Sequence, residues 1–266
     1  MARRAASGSI GAMPQVARLN IAPVRSLGLE SREEIVLGPL GVAEDRRFFV
    51  IDAGGRLVDQ LIAAEMVQVA AWTDPEATLL RLTFPDGTLC EDAVRLADPI
   101  EAPVHGRVAI GHIVEGPLGD ALGAFLGRPV RIVRCDRVGG TRRAHPATLV
   151  SDGSLEALGA VLGVGDVDAR RFRMLIELDG GGPHEEDTWI GGRIGLGETV
   201  LRISAPVARC AMTTHDPNTG QRDFDTLHAI KAYRGQVDGK DLMFGVWGEV
   251  ENPGRIRLGD EVRLLA

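Results

Sequence analysis

Apolar and polar positions along this 266-residue chain alternate in short stretches broken by turn residues. Val16–Ile21, Glu34–Leu37, Arg47–Ile51 and Leu79–Phe84 each have the composition of a short strand. Pro85-Asp86-Gly87 is a turn signal, and Leu89–Leu96 can return as a partner strand. Arg107–Val114, Val130–Val133, Ala147–Val150, Arg173–Leu178, Ile190–Leu196, Thr199–Ser204, Met243–Glu251 and Arg255–Leu265 continue the series. Helical spacing occurs in three places. Pro117–Leu126 carries Leu118, Ala121, Leu122 and Phe125 on one face, and Asp223–Tyr233 carries Phe224, Leu227 and Ile230. The third, Ser151–Leu162, has Leu155, Leu158 and Leu162 on one stripe and Ser151 or Asp152 as its N-cap. Many short strands with few helices predict a mostly β (α+β) protein built on a barrel or sandwich, not a doubly wound parallel sheet. The glycine pair Gly139-Gly140 divides the pattern. The expected organisation is a flexible tail over 1–14, a first domain over 15–138 and a second over 139–266, each a barrel or a sandwich by this pattern alone.

Composition narrows the function. Thirty basic against thirty-seven acidic side chains leave a formal charge of −7, a poor match to broad nucleic-acid binding. No apolar run has the length of a membrane span, and the start lacks the apolar stretch of a signal peptide. With three widely spaced cysteines and no CxxC pair, the chain reads as cytoplasmic, with reduced thiols and no structural zinc. Of the basic residues only Lys231 and Lys240 are lysines.

The segment most suggestive of chemistry is Arg209-Cys210, followed by the polar turn residues Thr213 to Gly220. A thiol at the end of a strand beside a guanidinium is set to be a thiolate, the form that acts as nucleophile or soft-metal ligand. On spacing alone, a small buried hydrophobe is the commoner fate of a free cysteine. Cys90 and Cys135 lack this setting and read as structural. Arginines cluster at Arg131, Arg134, Arg137, Arg142 and Arg143 and again at Arg170, Arg171 and Arg173. Such clusters suit a phosphate or carboxylate, or simply a solvated face. Arg25-Ser26 after Pro23 is a weaker phosphate signal, and Asp45-Arg46 reads as an ion pair. The run Glu185-Glu186-Asp187 after His184 reads as a solvated turn, and His215 lies within loop distance of Cys210.

Taken in order, these residues resemble the MOSC superfamily, the molybdenum-cofactor sulfurase C-terminal-type domains, preceded by their N-terminal β-barrel domain. The resemblance rests on Ala22-Pro23-Val24-Arg25-Ser26, Gly38-Pro39-Leu40-Gly41 and Asp45-Arg46-Arg47-Phe48 in the first half. In the second it rests on Phe172-Arg173, Glu186-Asp187-Thr188-Trp189, Arg209-Cys210-Ala211-Met212-Thr213-Thr214 and Asp216-Pro217-Asn218-Thr219-Gly220. It implies an N-terminal β-barrel-type domain packed on a MOSC β-barrel, and a molybdenum–pterin cofactor between the two domains, with Cys210 as metal ligand and catalytic residue. It further implies Arg25, Ser26, Arg46, Arg143, His145, Ser151, Arg173 and Arg209 as cofactor-binding residues. The implied chemistry is two-electron reduction of small N-hydroxylated substrates, fed by a separate electron-donor protein of reductase or ferredoxin type. The chain departs from those relatives at Arg25, where they usually have Lys, and at Met174-Leu175, where they have Pro-Asn. It departs again at Arg142-Arg143-Ala144-His145, where Asp and small hydroxyl residues precede the proline, and at His215. A persulfide sulfur carrier using Cys210, or a scaffold binding another ligand through Arg143, His145 and Arg173, are the competing readings.

Overall fold

The computed structural model describes residues 13–142 and 145–266. Residues 1–12, most of the expected tail, and Arg143 lie outside them. Eighteen strands and three α-helices are present among the described residues, so the mostly β expectation holds.

An eight-stranded sheet dominates the second half. Its order is Val262–Leu265, Arg193–Leu196, Thr199–Ala208, Met243–Asn252, Ala147–Ser151, Ile176–Asp179, Gln15–Ile21, Glu30–Arg32. The last two strands come from the start of the chain. Gln15–Ile21 runs antiparallel to Ile176–Asp179, with Leu19 opposite Ile176. A further early strand, Glu34–Leu37, pairs with Gly254–Arg257. The two halves are therefore interlocked through backbone hydrogen bonds. Val16, Leu19, Ile21, Ile35 and Leu37 accordingly share one core with Leu149, Ile176, Ile203 and Val246.

The rest of the first half is a five-stranded sheet in the order Leu57–Val58, Phe48–Asp52, Val130–Cys135, Arg107–Glu115, Arg95–Val104. A three-stranded sheet, Ala70–Thr73, Leu79–Thr83 and Leu89–Ala93, packs against it around Phe48, Leu80, Leu82 and Leu118. Helix Pro117–Phe125 begins with proline at its first turn, where the missing N–H costs nothing.

Local corrections to the sequence reading have physical causes. Arg173 is not in a strand. It ends the turn Ala169–Phe172 with φ 51°, and the strand begins at Ile176. Arg255–Leu265 is two strands in different sheets, separated by a turn at Gly259 with φ 81°. Ser151 is the N-cap of helix Asp152–Leu162, its side chain accepting from the Ser154 N–H at 3.2 Å. Glu185–Trp189 is a single helical turn rather than solvated loop, and Glu186 is fully buried. Its carboxylate accepts from the Ser151 and Ser154 hydroxyls, both at 2.7 Å.

Candidate functional site

Strand Thr199–Ala208 delivers the chain to Arg209 and Cys210, after which Ala211–Thr214 forms one helical turn. Cys210 sits at that junction in extended backbone, and its carbonyl accepts from Thr213 Oγ1 at 3.1 Å. Its side chain is exposed, whereas Cys135 is buried and Cys90 half-buried. Burial pushes the thiols of Cys90 and Cys135 up, which favours their inert protonated form.

Cys210 opens onto a cavity whose walls come from both halves. Arg25, Ser26, Asp45 and Arg46 line it from the first half. Arg142, His145, Arg171, Phe172, Arg173, Met174, Arg209 and Cys210 line it from the second. Of the sequence-predicted site residues, the cavity gathers Arg25, Ser26, Arg46, His145, Arg173, Arg209 and Cys210. Ser151 is not among its lining residues; its hydroxyl is committed to Glu186 and the helix cap. His215 does not line it either.

The guanidiniums divide by what they hold. Arg209 is spent on the protein. Its Nε and Nη2 donate to the Phe244 carbonyl at 2.8 and 2.5 Å, and its Nη1 donates to the Phe172 carbonyl at 3.0 Å. It braces the floor beneath the stacked Phe172 and Phe244 rings. Arg171 is likewise committed, forming a bidentate pair with Asp223. By contrast, Arg25 donates from Nη1 to the Thr141 carbonyl at 2.7 Å and leaves Nε buried without a partner. Arg46 pairs with Asp45 at 2.6 Å and donates to the Arg173 carbonyl at 3.0 Å. Arg173 donates to the Leu27 carbonyl at 2.7 Å.

Six arginines face this cavity against one carboxylate, Asp45, among the described residues. Burial, and then the neighbouring Arg46, bring Arg25 down to about 10. The same causes bring Arg173 down to about 9. Both remain cationic at neutral pH. Burial alone would push the Asp45 carboxyl up. Arg46, Arg142 and the Ala22 N–H outweigh it and hold that carboxyl below its ordinary value. Asp45 is therefore an anion already shared between two arginines, and the cavity keeps an excess of positive charge in an acidic protein.

Backbone strain collects at the same place. Ser26, Arg46 and Arg173 have φ of 71°, 55° and 51°, a region that side-chain-bearing residues avoid. The Ser26 hydroxyl is buried without a partner. Both features cost stability and mark functional sites when they cluster. The sequence reading placed Asp45 in an ion pair with Arg46 and Arg142 in an arginine cluster suited to a phosphate or carboxylate, and counted neither among the cofactor-binding residues. Arg142 reaches the Val42 carbonyl at 2.9 Å because Gly41, at φ 94°, has no Cβ to block it. The Gly38–Gly41 motif was the only signal of that crossing.

An anion fits this cradle, and Cys210 provides a soft ligand beside it. No cluster of three His, Cys, Asp or Glu side chains that could hold a metal ion occurs among the described residues.

Comparison with known proteins places residues 13–125 in the MOSC N-terminal beta barrel domain and residues 133–263 in the MOSC domain. Mitochondrial amidoxime-reducing component 1 of Mus musculus is 30% identical over 292 residues, spanning 94% of this chain and 82% of that protein. The Homo sapiens protein of the same name is 29% identical over 293 residues, with the same coverage of both chains. Molybdenum cofactor sulfurase of Drosophila grimshawi is 24% identical over 274 residues, 95% of this chain but 35% of that protein.

Proposed function

The chain belongs to the MOSC family, and on that premise we propose that it is a molybdenum-cofactor-dependent oxidoreductase that reduces N-hydroxylated or related small substrates. The observation that carries this reading is the cationic cavity onto which Cys210 opens. Arg25, Arg46 and Arg173 would hold the pterin phosphate, since their guanidiniums surround space with little competing negative charge. Ser26 would add its hydroxyl. Cys210 would ligate the metal, and Arg209 would keep the floor rigid from below. The bound molybdenum centre supplies two-electron chemistry at the N–O bond; the protein binds, orients and shields. Electrons come from a separate reductase or ferredoxin-type protein. No helix among the described residues is long and apolar enough to cross a membrane. Three free cysteines support our assignment of the protein to the cytoplasm.

The test is the metal content of protein purified from a host that makes the cofactor. Wild type is expected to carry close to one molybdenum per chain and to reduce an amidoxime with a chemical electron donor. Arg173→Ala removes charge-assisted contacts worth about 1.5–3 kcal/mol and is expected to lower molybdenum retention roughly 10- to 100-fold. Cys210→Ser is expected to abolish reduction. Metal-free wild type whose Cys210 carries an added sulfur would overturn the reading in favour of a persulfide carrier.

A further inference from the structure

Three hydroxyl side chains line the Cys210 cavity among the described residues: Ser26, Thr148 and Thr213. They differ in what each has left to offer. Thr213 donates from Oγ1 to the Cys210 carbonyl at 3.1 Å and meets Thr226 Oγ1 at 2.8 Å, so it is spent on the protein. Ser26 has no partner. Thr148 is half committed. Its Oγ1 accepts from the Leu175 N–H at 2.9 Å, and its own proton meets no acceptor among the described residues.

The strand that carries Thr148 turns this hydroxyl toward the cavity. Ala147 and Leu149, on either side of it, are buried in the core shared with Ile176 and Val246. Side chains alternate along a strand, so Thr148 stands on the opposite face with Val150. Val150 packs there in one cluster with Phe172 and Met174, two residues that line the cavity themselves. A valine at 148 would suit that floor as well as its neighbour does; threonine adds a donor. The Leu175 N–H holds the hydroxyl oxygen in place before any ligand arrives, which lowers the ordering cost of using its proton. The new donor joins a space whose arginines are donors only and whose one carboxylate, Asp45, is already shared by Arg46 and Arg142. Such a lining selects a ligand rich in acceptors.

We propose that Thr148 is a cofactor-binding residue of this chain: its O–H donates to an oxygen or nitrogen acceptor of the pterin group while the Leu175 N–H keeps the hydroxyl oxygen fixed. The inference rests on the molybdenum-cofactor reading.

The experiment compares wild type, Thr148→Val and Thr148→Ser, each purified with cofactor from a host that makes it. Molybdenum content is followed through repeated gel filtration, and unfolding midpoints are taken for the loaded and metal-free forms. Thr148→Val, which keeps the shape and loses the hydroxyl, is expected to shed molybdenum about three- to tenfold faster than wild type. Thr148→Ser keeps the hydroxyl and is expected to match wild type. Thr148→Val also leaves the Leu175 N–H without its acceptor, which lowers the midpoint of both forms alike. The proposal adds a second loss in the loaded form alone, so the rise in midpoint on loading is expected to shrink in Thr148→Val and to persist in Thr148→Ser. Molybdenum held by Thr148→Val as firmly as by wild type, or a midpoint loss equal in its two forms, overturns the inference and leaves the cofactor reading standing. Wild type that takes up no molybdenum overturns that reading and this inference with it.

Discussion

Ser26 combines two costs at one residue, a left-handed backbone and a buried hydroxyl without a partner. Glycine at this position removes both and adds back only the entropy of a freer unfolded chain. Ser26→Gly is therefore expected to raise stability by about 1 kcal/mol in denaturant unfolding while weakening retention of the proposed cofactor. Asp45 gives a pH-dependent outcome. Its folded-state value lies below the ordinary 3.8 because Arg46 and Arg142 outweigh its burial. Its stabilisation is thus fully present above about pH 4 and is lost as the pH falls through the lower folded value. Unfolding free energy measured between pH 6 and pH 2.5 is expected to drop more steeply in wild type than in Asp45→Asn.

Among the elements, the turn Asp216–Gly220 is fastened onto the first half of the molecule. Gln68 donates to the Thr219 carbonyl at 3.0 Å, and Gly220, at φ 76°, lies so close to the Ala64 carbonyl that a Cβ has no room. Gly220→Ala is expected to cost roughly 2 kcal/mol or more, read from the unfolding midpoint. The spacing of apolar residues made the three helices and strands such as Glu34–Leu37 and Thr199–Ala208 legible, because their burial alternates or follows the helical period. Strand Arg95–Val104 was hidden. It contains Pro99 and Pro103, and its ladder with Arg107–Glu115 decides its conformation. Proline is tolerated there because the strand is at the edge of its sheet. At the site, the motifs around Arg25, Arg46, Arg173 and Cys210 pointed to residues that do line one cavity. The different duties of Arg209 and Arg173 were not legible. Which carbonyls a guanidinium meets depends on segments far away, such as Phe244 for Arg209 and Leu27 for Arg173. The Ser151–Glu186 contact was illegible for the same reason.

At the scale of the molecule, the second half has no complete sheet of its own. Strand Ile176–Asp179 receives Gln15–Ile21 on one side, and Gly254–Arg257 receives Glu34–Leu37. A fragment covering 139–266 would expose an apolar strand edge and the core faces of Ile176 and Ile256. Expressed alone, it is expected to aggregate or bind the dye ANS. Fusion of residues 13–42 ahead of it is expected to reduce dye binding and restore dispersed NMR signals. Persistent, well-dispersed signals from the unfused fragment would contradict this.

The pairing of Glu34–Leu37 with Gly254–Arg257 also sets a clock. On the ribosome, the early strand must wait for more than two hundred further residues, on the order of ten seconds or longer at ~5–20 residues per second. Arg25 and Arg46 cannot meet Cys210 until that wait is nearly over. Any group held between Arg25, Arg46 and Cys210 would therefore enter only after Gly254–Arg257 has been made and has found its early partner.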